Sequence, residues 1–277
     1  MLERLNILVS LGTLGRKCAK VLRPDWDVFL DSGAFTNFKT GRDVVTLESY
    51  ADFLGEYGAK FWRYLSLDRI GDPAGSANNL TALRTRGFAP VPVFQRGAPL
   101  SELATMAGES DLVALGGIAG ALWRSHTAEY IANAVAVARR LGTKAHLLGV
   151  GNQATLSSLR PYSADSSDYS LGNRVARTRL WDPKTRTHVA VGRTLKLTRA
   201  VVALLDSYQA TPKDVATYDW WTGKLRMRGV MRVSAWSTFR FTEHLEKLGV
   251  RYFIAINDPD VWILRDIWDE YVAARAA

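Results

Sequence analysis

Short apolar, β-branched or aromatic runs recur along the chain. Each is followed by polar or glycine-rich residues and then by apolar positions at helical spacing. The runs are NILVS (6–10), DVFLD (27–31), FWRYLSLD (61–68), VPVFQ (91–95), LVALGG (112–117), AHLLGVG (145–151) and RYFIAIN (251–257). Helical spacing fills intervals between them at 46–58, 75–86, 100–107, 125–141 and 153–159. The clearest is 125–141: Ser125 can cap it, its Ala, Val and Ile positions recur on one face, and Gly142 ends it. Strands alternating with helices predict an α/β protein with a parallel sheet.

Several of these strands end in residues suited to chemistry or to tight turns: Asp31, Asp68, Gln95, Gly116 with Gly117, and Gly149 with Gly151. Polar residues at the C-terminal ends of many strands fit a TIM-type (β/α)8 barrel, whose site is built from the loops of one face. An open doubly wound sheet concentrates its site at one switch point instead, and no G-x-G-x-x-G follows the first strand. The expectation is therefore one TIM-barrel domain over 1–277. After Leu171 the rhythm changes. Residues 172–197 are Arg-rich with alternating apolar positions, like a hairpin, and 198–208 read as helix. The stretch 172–235 reads as a basic embellishment of the barrel, and the chain closes with a strand and a helix over 259–275.

Charge sharpens the picture. The net charge is +9, and residues 170–235 hold 13 Lys and Arg against 4 Asp and Glu, so the whole excess lies in that stretch. A localised basic excess points to a polyanion, most simply nucleic acid; a solvated basic face is the alternative. Arg174, Arg177, Arg179, Lys224, Arg226 and Arg228 are the candidates to hold phosphates. Trp220, Trp221 and Trp236 could stack on bases or could simply pack. The single cysteine, Cys18, excludes a disulfide framework and a Cys-rich zinc site. His126, His146, His188 and His244 are scattered without ligand spacing, so no metal is expected. Apolar runs such as VVALL fall far short of the ~20 residues of a membrane span. The N-terminal apolar stretch is too short for a secretory signal, and a soluble, cytoplasmic protein is expected.

The motifs DSGAF (31–35), LSLDRIGDP (66–73), VFQRG (93–97), ALGGIAG (114–120), HLLGVGNQ (146–153) and YSADSSDY (162–169) together resemble the tRNA-guanine transglycosylases. That family carries, in this order, an Asp-Ser-Gly-Gly-Phe motif, a strand-end Asp, a Gln, a Gly-Gly-Leu-Ala motif, a Gly-Val-Gly motif and an Asp-bearing strand end. The likeness covers roughly residues 28–170. The three cysteines of the family's zinc module are absent. The shorter chain without that module is similar to the phage-type relatives that put 7-deazaguanines into DNA, which would act in the host cytoplasm.

The resemblance implies exchange of guanine in DNA for a 7-deazaguanine such as preQ0, without a cofactor. Acting on tRNA, or binding nucleic acid without catalysis, are the alternatives. Asp165 would be the nucleophile holding the sugar, and Asp31 its proton-transferring partner; Asp168 is a rival nucleophile. Such a division of labour between two carboxylates suits the breaking and remaking of a glycosidic bond. Asp68, an acceptor-only group, would take the base's N1–H and 2-amino donors, and Gln95 would reach O6. Ser32, Phe35, Gly116, Gly117, Gly149 and Gly151 would complete the base site, with Phe35 against the flat ring. For Asp31 a turn-capping role, and for the glycines the ordinary needs of tight turns, are the plain alternatives.

Overall fold

A computed structural model of the chain describes residues 2–118, 125–170, 172, 175–222, 229–256 and 260–276. Two compact units account for the chain: Glu3–Ser166 with Gly249–Asp258, and Met1–Leu2 with Ser167–Leu248 and Pro259–Ala277. The second unit is thus larger than the 172–235 embellishment read from the sequence, and it takes in the terminal helix.

The first unit is built on eight parallel strands: β1 (Leu5–Ser10), β2 (Trp26–Asp31), β3 (Arg63–Tyr64), β4 (Val93–Gln95), β5 (Leu112–Gly116), β6 (Lys144–Leu147), β7 (Ser163–Ser166) and, after the hairpin strands β8 (Arg177–Asp182) and β9 (Thr187–Gly192) of the other unit, β10 (Arg251–Ile256). Their order is β3-β2-β1-β10-β7-β6-β5-β4. Chain neighbours therefore pair side by side, and β10 fills the place between β7 and β1. The sheet is curled, and a single isolated bridge links the flanks of its two end strands. Leu65, just past β3, bridges Val91, just before β4, in parallel register. There Ser66 N–H donates to Val91 O at 2.8 Å and Val91 N–H to Tyr64 O at 2.8 Å. No longer ladder joins the ends: the expected strand 61–68 is mostly bridge and coil, whereas 91–95 keeps Val93–Gln95 as strand and Val91 as a bridge.

The intervals between strands hold α1 (Leu11–Leu14), α2 (Ala34–Thr40), α3 (Leu47–Tyr57), α4 (Pro73–Thr85), α5 (Leu100–Glu109), α6 (Ser125–Arg140) and α7 (Gln153–Leu159). Local chemistry sets their starts. Thr46 and Ser49 form a reciprocal capping box on α3. Asp72 accepts from Gly75 N–H at 2.9 Å ahead of α4, with Pro73 in its first turn, and Asn152 accepts from Thr155 N–H at 2.9 Å to cap α7. Leu8, Phe29, Leu65, Val91, Val93, Leu112, Ala114 and Phe253 form one buried cluster drawn from six strands or their flanks. Because side chains alternate along a strand, the residue two positions on shares the face. That rule puts Ser10 above Leu8, Asp31 above Phe29, Gln95 above Val93 and Gly116 above Ala114. The polar site is thus the layer that follows the apolar core.

In the second unit β8 and β9 pair antiparallel, as the alternation over 172–197 predicts. Helices α8 (Arg199–Ser207), α9 (Pro212–Ala216), α10 (Tyr218–Trp221), α11 (Val230–Lys247) and α12 (Asp260–Ala276) complete it. Trp220, Trp221 and Trp236 are buried, the first two in edge-to-face contact at 4.7 Å and the third against Tyr271 at 5.5 Å. Packing is therefore their role, and stacking on bases is not. The sequence pattern missed α11. Its residues from Val230 to Ala235 are all buried, Arg232 included, so its first turns show no polar face. The Arg232 side chain is satisfied internally, donating to Glu270 at 2.9 Å and to Gln209 Oε1 at 2.6 Å. Among the described residues no helix is long and apolar enough to cross a membrane.

Candidate active site

Asp31 ends β2 beside Ser10 of β1, its partner in register, and the Ser10 hydroxyl hydrogen-bonds its carboxylate. Gly33 N–H donates to Asp31 Oδ2 at 3.2 Å. The turn after Asp31 requires glycine twice over. Gly33 has φ +96°, and a Cβ there would meet Gly12 N at 2.6 Å. The β1 and β2 tips thus touch backbone to backbone, which fixes where Asp31 leaves the sheet. Burial pushes the Asp31 carboxyl above the usual range, and the nearby charge of Asp165 pushes the same way, while the bonds from Ser10 and Gly33 oppose it.

Asp165 lies within β7 and is buried. Its Oδ1 accepts from Gly149 N–H at 3.0 Å and lies 3.1 Å from His146 Nε2. The other ring nitrogen, Nδ1, is 2.8 Å from Ser163 Oγ. Both hydrogen bonds of Asp165 fall on Oδ1, and Oδ2 has no hydrogen-bond partner among the described residues. The layering explains why Asp31 and Asp165 converge. The His146 ring meets Phe29 at 4.9 Å and bonds Ser163. Asp31 is two residues beyond Phe29, and Asp165 two beyond Ser163. Both carboxylates therefore stand one inward layer above the same imidazole, on strands separated in the sheet by β1 and β10.

Asp68 follows β3 in an irregular segment rather than at a strand tip, and is partly buried. Burial first, and the charge of Asp31 second, push its carboxyl up to about 7. Gln95 Nε2 donates to Asp68 Oδ2. Gln95 is itself held through its carbonyl, which accepts from Tyr130 OH of α6 at 3.0 Å. Gly116 and Gly117 make room for this amide. A Cβ on Gly117 would stand 3.3 Å from Gln95 Oε1, and one on Gly116 2.9 Å from Val93 and 3.3 Å from the Gln95 amide. Any side chain here crowds the Gln95–Asp68 pair. A cavity of about 340 Å³ reaches Asp68 from beneath α2, with Ala34, Phe38, Val45 and Leu67 in its walls.

The structure thus gathers Asp31, Asp68 and Asp165 into one electrostatic neighbourhood, with Gln95, Gly116, Gly117 and Gly149 supporting them. Gly149 serves the nucleophile candidate through its N–H, a different task from the base or sugar approach read from sequence. Gly151 is half-buried two residues on. Ser32 is fully buried, and its Oγ has no hydrogen-bond partner among the described residues. Phe35 is 62% exposed on α2. Asp168 lies exposed in the short turn 168–170. Arg177 and Arg179 alternate with buried Thr178 and Leu180, so both guanidinium groups are on the open face of the hairpin. Arg174, Lys224, Arg226 and Arg228 lie outside the described residues.

Sequence reasoning passed over His146, Ser163 and Ser10. The signal available for His146 was parity: it is a polar ring inside the apolar run AHLLGVG. Among the described residues no three His, Cys, Asp or Glu side chains gather to hold a metal ion. Compared with known proteins, the chain matches no family model and no curated sequence.

Proposed function

We propose that the chain is a transglycosylase that exchanges guanine in DNA for a 7-deazaguanine base, on a (β/α)8 barrel of TIM type closed at the Leu65–Val91 contact. The observation that carries this reading is the pair Asp31 and Asp165: two carboxylates close enough to feel each other, in unlike surroundings. One is held by N–H donors on a single oxygen, and the other is pushed toward its protonated form. That is the asymmetry a nucleophile and an acid–base partner need. The six motifs in family order support the same assignment.

In the exchange, Asp165 Oδ2 attacks the sugar C1′ while guanine leaves with the bonding pair. The Asp31 carboxyl gives the leaving base its proton. An incoming 7-deazaguanine then attacks C1′ through its ring nitrogen, returns a proton to Asp31 and releases Asp165. Two inversions leave the configuration at C1′ unchanged. Asp68 and Gln95 read the base: the carboxylate accepts from N1–H and the 2-amino group, and the second amide N–H of Gln95 serves O6. The target base has to leave its stack to reach these groups. Exposed Arg177 and Arg179 of the hairpin would bind the polymer's phosphates.

Nucleoside mass spectrometry tests the reading. The protein is incubated with guanine-containing DNA or tRNA and a panel of 7-deazaguanines, and each polymer is digested and analysed. Gain of the modified base in DNA is expected, and its loss, by at least ~10⁴-fold, in Asp165→Asn. Incorporation only into tRNA would move the substrate, and incorporation into neither would remove the activity.

A further inference from the structure

The exchange as written uses Asp165 but not the buried His146 and Ser163 linked to it. His146 is wholly enclosed, with Phe29 and Phe253 against its ring and both nitrogens engaged. Burying an imidazole in a mostly apolar layer is costly unless both nitrogens find partners, and here they are found on one strand, β7, at positions 163 and 165. An ionised carboxylate can only accept. The 3.1 Å contact therefore requires the hydrogen on Nε2. The Ser163 hydroxyl, at 2.8 Å, serves the other nitrogen and fixes the ring plane.

We propose that His146 is the positioning residue of the nucleophile. Resting on the assignment of Asp165 as that nucleophile, the inference is specific: Nε2–H of His146 and N–H of Gly149 pin Oδ1 from two directions, and this presents Oδ2 as the attacking atom. Without the pin the carboxylate rotates about its Cα–Cβ and Cβ–Cγ bonds, and the fraction of time that Oδ2 spends in line with C1′ falls. Misplacement of a reacting atom by about 1 Å costs on the order of 100-fold in rate. The effect belongs to the attack and not to base or DNA binding, because His146 lies a layer below the carboxylates.

Three variants and one spectrum test this. His146→Phe keeps the ring volume and removes the donor. Its kcat for exchange should fall about 10- to 100-fold, with KM for base and DNA unchanged. His146→Gln, which restores an N–H, should recover most of that loss; a merely structural ring would not be rescued this way. Should His146→Phe fail to fold, the comparison of His146→Gln with the native protein and the spectrum decide. ¹⁵N NMR of histidine-labelled protein reads the tautomer directly, and hydrogen on Nε2 of His146 is expected. Full kcat in His146→Phe, a change in KM alone, or a His146 ring protonated only on Nδ1 would each overturn the proposal. Asp165→Asn runs alongside: exchange surviving there would strike the nucleophile assignment itself, whereas a dead Asp165→Asn with an unimpaired His146→Phe would strike only the role of His146.

Discussion

At the N-terminal end of the parallel strands, Asp27 of β2 sits between Arg4, at 2.8 Å, and Arg251, which bonds its other oxygen. Arg251 also donates to Asn6 at 2.9 Å and covers the Trp62 ring at 4.4 Å. Four residues along the same strand, Asp31 has no Lys or Arg partner among the described residues. Neither does Asp68 or Asp165, whose partners are an amide, a backbone N–H and an imidazole. One end of the sheet thus neutralises its carboxylates with guanidinium groups. The other end leaves Asp31 within electrostatic reach of both Asp68 and Asp165 and supports the three with neutral donors. In parallel α/β architectures the first kind of end serves stability and the second serves chemistry. An uncompensated carboxylate is costly to keep, so its persistence at three positions on one face is an argument for use.

The sharpest way to break the contrast is to neutralise one residue at each end. Asp31→Asn removes the group proposed to carry the proton and should lower kcat for exchange by about 10²- to 10⁴-fold. It should also flatten the pH–rate profile wherever Asp31 titrates. Thermal stability should hold or rise, because a carboxyl that burial disfavours has been replaced by a neutral amide. Asp27→Asn should do the reverse. It strips two arginines of their charge partner in a partly exposed setting, which ranks between a surface pair and a buried one. A loss of about 2 kcal/mol by urea unfolding is expected there, with kcat unchanged. If Asp27→Asn proved as inactive as Asp31→Asn, or Asp31→Asn as unstable as Asp27→Asn, the two ends would not differ in kind.

Much of this was legible in the residues. Alternation and helical spacing located the β/α rhythm, the caps Thr46 and Asn152 are local signals, and the strand-end aspartates stood out because carboxylates rarely follow buried runs. What escaped has physical reasons. The strand 61–68 shrank to Arg63–Tyr64, because how far a ladder extends depends on the partners it finds: of this run β2 pairs only with Arg63 and Tyr64, and Leu65 is held by an isolated bridge to Val91. Helix α11 carries no apolar stripe over its first turns because those turns are buried on every side. His146 looked like an isolated polar residue, since its meaning depends on Ser163 and Asp165, 17 and 19 positions away. The role of Gly116 and Gly117 as clearance for the Gln95 amide is likewise a matter of three-dimensional proximity, although Gly117, with φ +70°, also meets the turn's own need for glycine.

Asp68 gives the smallest and most discriminating effect. Its folded-state pKa of about 7 stands above the ordinary carboxylate value of 3.8, so the folded chain binds this proton more tightly than the unfolded chain does. Stability from this residue is therefore fully present below about pH 4 and is lost as the pH rises toward and through 7. Asp68→Asn has no such titration, and its new carbonyl can still accept from Gln95. The variant should match the native protein at pH 4 and become more stable than it between pH 4 and 7, with the gain level above that. Three pKa units would correspond to ~4 kcal/mol if nothing were screened. Partial exposure and the retained Gln95 bond reduce the expectation to about 1 kcal/mol. The same change should weaken use of the purine, because an amide offers one acceptor where the base presents two donors. A pH-independent gain would mean that packing and not charge was relieved. A loss of stability at pH 8 would place Asp68 with Asp27, among the carboxylates that hold the sheet together.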